Sequence, residues 1–302
     1  VSGSQSITQA SSSVGVLIGV ARSGVVGVAQ KVGSWTEFIA KYANGLDTPF
    51  LENSYLPYAV HGFFANGGRE LYICNIKKSA VKATKISTTN NITATASSEG
   101  VWGNSIKVSI KKSSDFEQDT NEFFDVTVAV GTNDSVIITD VTFATIVEAV
   151  MSNSKAKQWL SEFKLDDSVS VLSEEEFVLA GGTDGSELAD ADYTEALSLL
   201  DVLDDVTMVA IPGQTSKTVT DALLTYCDNK GLFPIIDMPI GSTAEATKAF
   251  RKGVSAFTGA LAHPWGKVND PLTNSLKAVP TAGHLMGVYA RTIENRGIHK
   301  AP

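Results

Sequence analysis

The sequence is short of the residues on which many kinds of site depend. Its 302 residues include only 2 cysteines, Cys74 and Cys227, and each lies in an apolar stretch far from the other. This spacing argues against a disulfide and favours two small buried side chains in a reducing compartment. The 4 histidines fit neither HExxH nor any paired metal-binding spacing, so we predict no metal site. Nothing in the sequence calls for a cofactor.

Positive charge and long apolar runs are also scarce. The chain has 24 Lys and Arg against 33 Asp and Glu, which gives a formal net charge of -9. This balance argues against nucleic acid or an anionic membrane as the main partner. No apolar run approaches the roughly 20 residues of a membrane span. With 43% hydrophobic and 19% charged residues, the composition is typical of a soluble globular protein.

The two ends of the chain alternate between apolar runs and helical patterns. Residues 14–21, VGVLIGVA, are typical of a strand buried on both faces, and a Gly-containing loop is expected over residues 22–33. Ser34 and Glu37 form a capping-box pattern at a helix start. Further strands are predicted at 71–76, 207–211, 233–238 and 256–262, with helices from residue 54 and over 193–203, 219–229 and 244–253. This alternation predicts an α/β fold with a doubly wound, mainly parallel sheet.

The middle of the chain has a different texture, rich in Thr, Asn and Ser. Strands are predicted at 105–111, 124–130, 135–139, 169–172 and 177–180, with helices near 143–151 and 155–163. We interpret this part as a β-rich α+β insertion domain. The predicted organisation is a flexible N-terminal segment (1–13), the first part of the α/β core (14–81), the insertion domain (82–180), the second part of the core (181–290) and a connector (291–302).

Two polar residues follow predicted strands of the core, where α/β proteins place their ligands. Asp237 and His263 could join a serine in a triad, but the chain has no GxSxG elbow to present that serine. The simpler interpretation is that Asp237 bonds loop amides and His263 packs beside Pro264 and Trp265. We therefore predict that the chain is not an enzyme, with a hydrolase-like site near Asp237 and His263 as the alternative.

Other candidate sites have equally simple interpretations. The loop at 19–24 lacks both the P-loop ending and the GxGxxG spacing, which favours a plain turn. The acidic residues around Asp184 and Asp192 lack the EF-hand order and are typical of a solvated loop before a helix. Trp102, set between glycines, is expected to anchor a turn.

Five segments, taken together and in order, resemble the tail sheath proteins of contractile phages, phage-like particles and tailocins. They are SYLPYAVHGFFANGGRELYICNI (54–76), EGVWGNSIKV (99–108), LAGGTDG (179–185), VAIPG (209–213) and residues 279–302, which include GHLMGVYART and RGIHKAP. The resemblance covers almost the whole chain.

The resemblance implies a structural subunit with a subtilisin-like core, without cofactor, that polymerises helically around an inner tail tube. Contraction of the sheath would drive the tube through a target cell envelope. The implied partners are further copies of the chain, the tail tube protein, and baseplate and tail terminator proteins, without nucleic acid or direct membrane insertion. The implied location is the tail of a virion or phage-like particle, prophage-encoded ones included, assembled in the bacterial host cytoplasm. A type VI secretion sheath component is the other alternative, but that sheath is usually split over two chains.

Six basic side chains are candidate contacts between subunits, with ordinary exposed charges as the alternative. They are Lys248, Arg251, Lys252, Arg291, Arg296 and Lys300. The chain departs from the family's pattern at both ends, because no Pro-Gly-Val-Tyr-like arm precedes residue 14 and nothing follows Lys-Ala-Pro. The resemblance therefore implies a core fragment lacking the N-terminal arm and the C-terminal domain. Residues 279–302 are then expected to form a strand leaving the core.

Overall fold

A computed structural model describes residues 13–43, 45–46, 48–114, 122–132, 134–254 and 258–302. The predicted flexible segment, residues 1–13, lies outside the described residues except for Ser13. Residues 256 and 257 of the predicted strand 256–262 lie outside them as well.

The first part of the chain supplies the centre of a parallel sheet. Its elements are β1 (Gly15–Gly19), β2 (Ala29–Val32), α1 (Trp35–Tyr42), α2 (Leu56–Ala65) and β3 (Leu71–Asn75). Strand β1 is completely buried from Val16 to Ile18, as its sequence predicts, and β3 pairs with it in parallel. The start of α1 is also confirmed, because the Ser34 hydroxyl accepts the Glu37 N–H at 3.1 Å. The Glu37 carboxylate accepts the N–H of Gly33, one residue before the cap, at 2.8 Å.

The predicted loop at 22–33 is wrong at its end, where β2 forms. This strand pairs antiparallel with β3 at the edge of the sheet. Of its four residues only Val32 is buried. An edge strand with one buried side chain lacks the apolar alternation by which strands are recognised in a sequence.

The middle of the chain forms two antiparallel sheets. Its elements are β4 (Thr84–Ile86), β5 (Ile92–Ala96), a 3-10 helix (Val101–Ser105), β6 (Ile106–Lys112), β7 (Phe124–Val130), β8 (Asp134–Val141), α3 (Ile146–Ser152), α4 (Ser154–Trp159), β9 (Leu160–Leu165) and β10 (Glu175–Val178). One sheet has the order β10-β6-β7-β8 and the other β4-β5-β9. Both contribute to one hydrophobic core that includes Trp102, Ile106 and Trp159.

Two predictions in this part are wrong. The helix predicted at 155–163 ends at Trp159, and β9 begins at the next residue because it pairs along its length with β5. Local helical spacing here is overridden by long-range pairing. Residues 169–172, predicted as a strand, follow a turn in which the Asp166 carboxylate accepts the Ser168 N–H at 2.9 Å, and Val171 is 57% exposed.

The last part of the chain completes the parallel sheet. Its elements are α5 (Asp190–Ala196), a 3-10 helix (Leu197–Leu200), β11 (Met208–Ala210), α6 (Lys217–Lys230), β12 (Phe233–Asp237), α7 (Ala244–Lys252), β13 (Ala260–Ala262), β14 (Gly266–Asp270), β15 (Ser275–Val279) and α8 (Ala282–Arg296). The six-stranded sheet has the order β13-β12-β11-β1-β3-β2 and is parallel except for β2. The hairpin of β14 and β15 is an element that the sequence did not predict.

Helices cover both faces of this sheet. Leu17 of β1 belongs to a hydrophobic cluster with α1, α2 and α8. Its neighbours Val16 and Ile18 belong to another cluster, which includes the 3-10 helix at residues 197–200 and α6. Successive side chains of a strand point to opposite faces, so the chain is a mixed α/β protein with a mainly parallel sheet buried on both sides.

The strand expected to leave the core within residues 279–302 is wrong, because this stretch forms α8. Helix α8 packs against α2 at very short range. A Cβ on Gly283 would lie 2.5 Å from the Ala59 carbonyl oxygen, and one on Gly287 would collide with the Phe63 carbonyl oxygen. The glycines, which favour turns in a sequence, here permit backbone contact between two helices. The predicted domain boundary at 290/291 falls inside α8.

Candidate assembly surfaces

Two of the five motif segments meet in one packed unit. The Gly182 N–H donates to Asn104 Oδ1 at 2.8 Å, and Asn104 Nδ2 donates to the Gly182 carbonyl at 2.9 Å. A Cβ on Gly182 would lie 2.5 Å from the Gly100 carbonyl oxygen, so a larger residue does not fit. Trp102 beside them is 4% exposed and donates to Ser98 Oγ at 3.1 Å, as expected for a turn anchor.

A buried lysine ties this unit to the parallel sheet. The Lys77 side chain is 1% exposed, and its ammonium donates to the Asp184 carboxylate at 2.7 Å. It also donates to the carbonyl oxygens of Arg22 at 3.3 Å and Glu99 at 3.2 Å. All three donors of the ammonium are therefore used, which satisfies the buried charge.

The chain crosses between the parallel sheet and the antiparallel sheets twice, and the two crossings lie side by side. They are joined by antiparallel bridges between Lys78 and Ser186, Val81 and Thr183, and Thr84 and Ala180. We call this pair of segments, residues 78–84 and 180–186, the neck.

Asp237 has the structural role that the simpler interpretation gives it. Its carboxylate is 2% exposed and accepts the N–H groups of Ala282 at 2.9 Å and Gly213 at 3.1 Å. Burial raises the pKa of Asp237 to about 6, against the opposing effect of these hydrogen bonds. The side chain thus joins the motif at 209–213 to the start of α8.

The proposed triad is not assembled among the described residues. The His263 Nε2 lies 2.6 Å from the backbone carbonyl oxygen of Ser242, to which it donates, and no described hydrogen bond joins Asp237 or His263 to a serine hydroxyl.

The cysteines are buried and free, as predicted. Burial raises the pKa of the Cys74 and Cys227 thiols to about 12, so both stay protonated and unreactive at neutral pH.

Acidic residues around the start of α5 take part in hydrogen bonding and ion pairing. Asp192 accepts the Ala189 N–H at 2.7 Å and lies 3.0 Å from the Lys78 ammonium, and these contacts lower its pKa. In the part of the chain that the structure describes, no group of three or more His, Cys, Asp or Glu could hold a metal ion.

A wide concave surface lies where three parallel strands end. It is a cleft of about 770 Å³ lined by Val20 after β1, Lys77 after β3 and Gln214 after β11. Its other lining residues are 51–55, 184–188 and Tyr193. Its lining includes three residues with carboxylates, Glu52, Asp184 and Glu187, and one with an ammonium, Lys77, so we call it the acidic cleft. The sequence did not predict it, because separate segments of the chain contribute its residues.

Across the described ranges, no helix is both long enough and apolar enough to cross a bilayer.

Two solved structures share the architecture described above. The sheath tail protein of Listeria innocua matches with a TM-score of 0.65 at 14% sequence identity, over 96% of this chain and 57% of its own. The sheath tail protein of Desulfitobacterium hafniense matches with a TM-score of 0.61 at 15% identity, over 96% of this chain and 60% of its own. The chain has the fold of sheath tail proteins.

The sheath fold confirms the resemblance that the five motifs carry, at the level of architecture. This chain spans less than two thirds of the length of either solved structure. No family model and no curated protein matches the sequence. In this sheath fold the motif residues hold helices and turns together: Gly182, Gly213, Gly283 and Gly287 all lie at close packing contacts.

The six basic candidates lie on two exposed parts of the sheath fold. Lys248, Arg251 and Lys252 are on α7, which has no buried residue at all. Arg291 and Arg296 are on the last turns of α8, and Lys300 follows it. Their role as contacts between subunits stays a prediction.

Proposed function

We propose that this chain is a structural subunit of a contractile tail sheath, which polymerises helically around an inner tube and contracts to drive the tube through a target cell envelope. The fold it shares with two sheath tail proteins over 96% of its length is the observation that carries the proposal. Its partners would be further copies, the tail tube protein, and the baseplate and tail terminator proteins. Its place would be the tail of a phage, phage-like particle or tailocin assembled in the host cytoplasm.

The contacts of the polar side chains support an architectural role. The buried charges of Lys77 and Asp237 are used in bonds between backbone segments, and both thiols are buried. Its surface also carries exposed charge that is available to other molecules, including the basic candidates on α7 and at the end of α8.

The division into domains is part of the proposal. We propose residues 82–180 as an insertion domain within the α/β core. In support, the buried members of its hydrophobic core all lie between Ala83 and Leu179.

Electron microscopy of the protein tests the proposed function. Protein expressed from its complete gene and purified at low salt is expected to form hollow tubes in negative stain. Analytical ultracentrifugation across salt and protein concentration checks the same point in solution. A protein that stays monomeric under all these conditions would contradict the assembly role. A serine-reactive fluorophosphonate probe that labels the folded protein would favour the hydrolase alternative instead.

A further inference from the structure

We propose that the acidic cleft of one copy receives the basic segment at residues 296–300 of a second copy, so that copies join head to tail. This proposal rests on the proposed function, because it requires copies of the chain to assemble. It specifies which two surfaces meet and what kind of contact they form.

The acidic cleft lies at a position where α/β sheets leave an opening. The chain passes from β1 to β3 on one side and later returns to β11 on the other side of β1. The connections leave the carboxyl ends of β1 and β11 in opposite directions, which opens a crevice between them. The acidic cleft lies there, since it is lined by Val20, which follows β1 directly, and by Gln214 in the loop after β11.

The charge of the cleft favours a cationic occupant. The one lining ammonium, that of Lys77, is already bonded to Asp184, and the Lys277 ammonium beside the cleft donates to the Glu52 carbonyl oxygen at 2.8 Å. Three carboxylates still outnumber these two ammonium groups. Glu52 and Glu187 are exposed and make no ion pair with any described residue. A concave surface with low-dielectric walls concentrates the field of such carboxylates and raises the local concentration of cations.

The basic segment lies at the opposite end of the sheet. Helix α8 starts beside Asp237, at the carboxyl end of β12, and its last turn reaches Arg69, just before β3, through the ion pair of Arg69 and Glu294 at 2.6 Å. Its 15 residues span about 22 Å at the helical rise of 1.5 Å per residue. The segment after this turn, residues 296–300, therefore lies at the amino ends of the strands.

The segment matches the cleft in chemistry. Arg296, His299 and Lys300 are exposed, and no acidic residue lies among residues 296–300. Ile298 is 75% exposed, and the cleft offers the half-buried Leu51 and Leu188 as apolar contacts for it. In a contact of this kind, charge complementarity speeds the association of the two copies, and the buried apolar side chain adds surface that is removed from water.

The opposite placement of the two surfaces decides the kind of assembly. Because one copy uses its cleft and the next uses its basic segment, the contact is heterologous. A heterologous contact repeats from copy to copy and produces a ring or an open helical filament.

Charge reversal in complementary pairs tests the contact. One variant carries Glu52→Lys and Glu187→Lys, and the other carries Arg296→Glu and Lys300→Glu. Each alone is expected to raise the critical concentration for tubes about tenfold or more, because like charges then face each other. An equal mixture of the two variants restores favourable charge at every contact in an alternating polymer. We therefore expect the mixture to assemble near the wild-type concentration.

A matched control changes the charge by the same amount elsewhere. Glu148→Lys with Asp167→Lys reverses two exposed carboxylates of the antiparallel part of the molecule and should leave the critical concentration unchanged. Circular dichroism melting of each variant verifies that it folds. As a second measurement, copies with Ser186→Cys and differently tagged copies with His299→Cys should form a disulfide between copies when mixed with oxidised glutathione, which takes up the two electrons. Both native thiols are buried and should not compete.

The outcomes separate this proposal from the proposed function. If the wild type forms tubes but neither reversed variant changes their critical concentration, or the mixture stays unassembled, the cleft contact is overturned and the sheath role stands. A basic peptide that carries one cysteine is added in a parallel reaction with the Ser186→Cys copies. If this peptide cross-links to them and the His299→Cys copies do not, the cleft has another occupant and the contact between copies is overturned. If the wild type forms no tubes, the proposed function fails and this contact fails with it.

Discussion

Helices α7 and α8 both carry basic residues in their last turns, yet they are held to the molecule in different ways. Five residues of α8 are buried, and its glycines bring its backbone against α2. No residue of α7 is buried. The same type of element is thus part of the core in one place and part of the surface in the other. Substitutions in α8 should change the free energy of unfolding, whereas substitutions in α7 should change contacts with other molecules.

The largest effect is expected from enlarging a glycine at the α2–α8 contact. Gly287→Leu places a side chain against the Phe63 carbonyl and should lower the free energy of unfolding by about 3 kcal/mol or more. The matched control on α7 is Ala249→Leu, which is exposed and should change it by less than about 0.5 kcal/mol. Urea denaturation of both variants gives the values. Equal losses would show that α7 is as firmly packed as α8.

The next effect concerns two adjacent lysines, one buried and one exposed. Lys77→Met leaves two carbonyl oxygens without their donor and Asp184 without its counter-charge, for a loss of about 2 kcal/mol. Lys78→Met removes an ion pair whose lysine is 45% exposed and should cost under about 1 kcal/mol. Thermal denaturation of the two variants compares them directly. A Lys78 variant as unstable as the Lys77 variant would contradict the assigned role of burial.

A smaller effect is expected where the β14–β15 hairpin docks on α2. The Tyr58 hydroxyl donates to the Asp270 carboxylate at 2.7 Å, and Asp270 is 4% exposed. Tyr58→Phe should cost about 1.5 kcal/mol, the lower range for a hydrogen bond to a charged group. Tyr226→Phe, which removes a similar bond at 3.0 Å to an exposed Asp201, serves as the control and should cost less. Denaturant titration measures the loss of unfolding free energy for each variant. A larger loss for Tyr226→Phe than for Tyr58→Phe would contradict the role assigned to the buried Tyr58–Asp270 bond.

The smallest effect is a dependence of α8 packing on pH. Burial lowers the pKa of His284, and the nearby His61 lowers it further. The unfolded chain therefore binds more protons at this position, and stability is lost as the pH falls through the ordinary histidine pKa of about 6.5. His284→Asn should reduce the difference in unfolding free energy between pH 7 and pH 5, whereas His299→Asn, at an exposed position, should leave it unchanged.

Comparison with the wild type is needed in the pH experiment because Asp237 acts in the opposite sense. Its pKa is raised by burial, so its contribution is lost as the pH rises through about 6. The change in unfolding free energy between pH 7 and pH 5 is measured for the variant and for the wild type. Because both proteins contain Asp237, its contribution cancels in the difference between these two changes. A His284 variant with the same pH dependence as the wild type would show that the imidazole carries no penalty on protonation.

The parts of the fold that depend on local pattern were predictable. The apolar run that forms β1 and the Ser34–Glu37 cap of α1 are examples, because neighbouring residues determine both. Elements that depend on distant partners were not. Strand β9 follows from its pairing with β5, and α8 from the fit of Gly283 and Gly287 against α2.

The surfaces were predictable only in part. In the sequence, positive charge identifies Arg296 and Lys300 as candidate contact residues. The structure leaves both side chains exposed. The acidic cleft has no counterpart in the sequence, since Glu52 and Glu187 are brought together by the order of strands in the sheet. A pattern along the chain does not encode which loops share one end of a sheet.

The neck has a mechanical consequence. Two covalent strands of the chain connect the antiparallel sheets to the parallel sheet, and they run side by side through their bridges. A pulling force along the neck is shared by both strands and loads their covalent bonds instead of shearing the bridges. A bending force would have to break the ammonium bonds of Lys77 to both motif turns. The parallel sheet and the antiparallel sheets should therefore move together as one rigid unit when either is displaced.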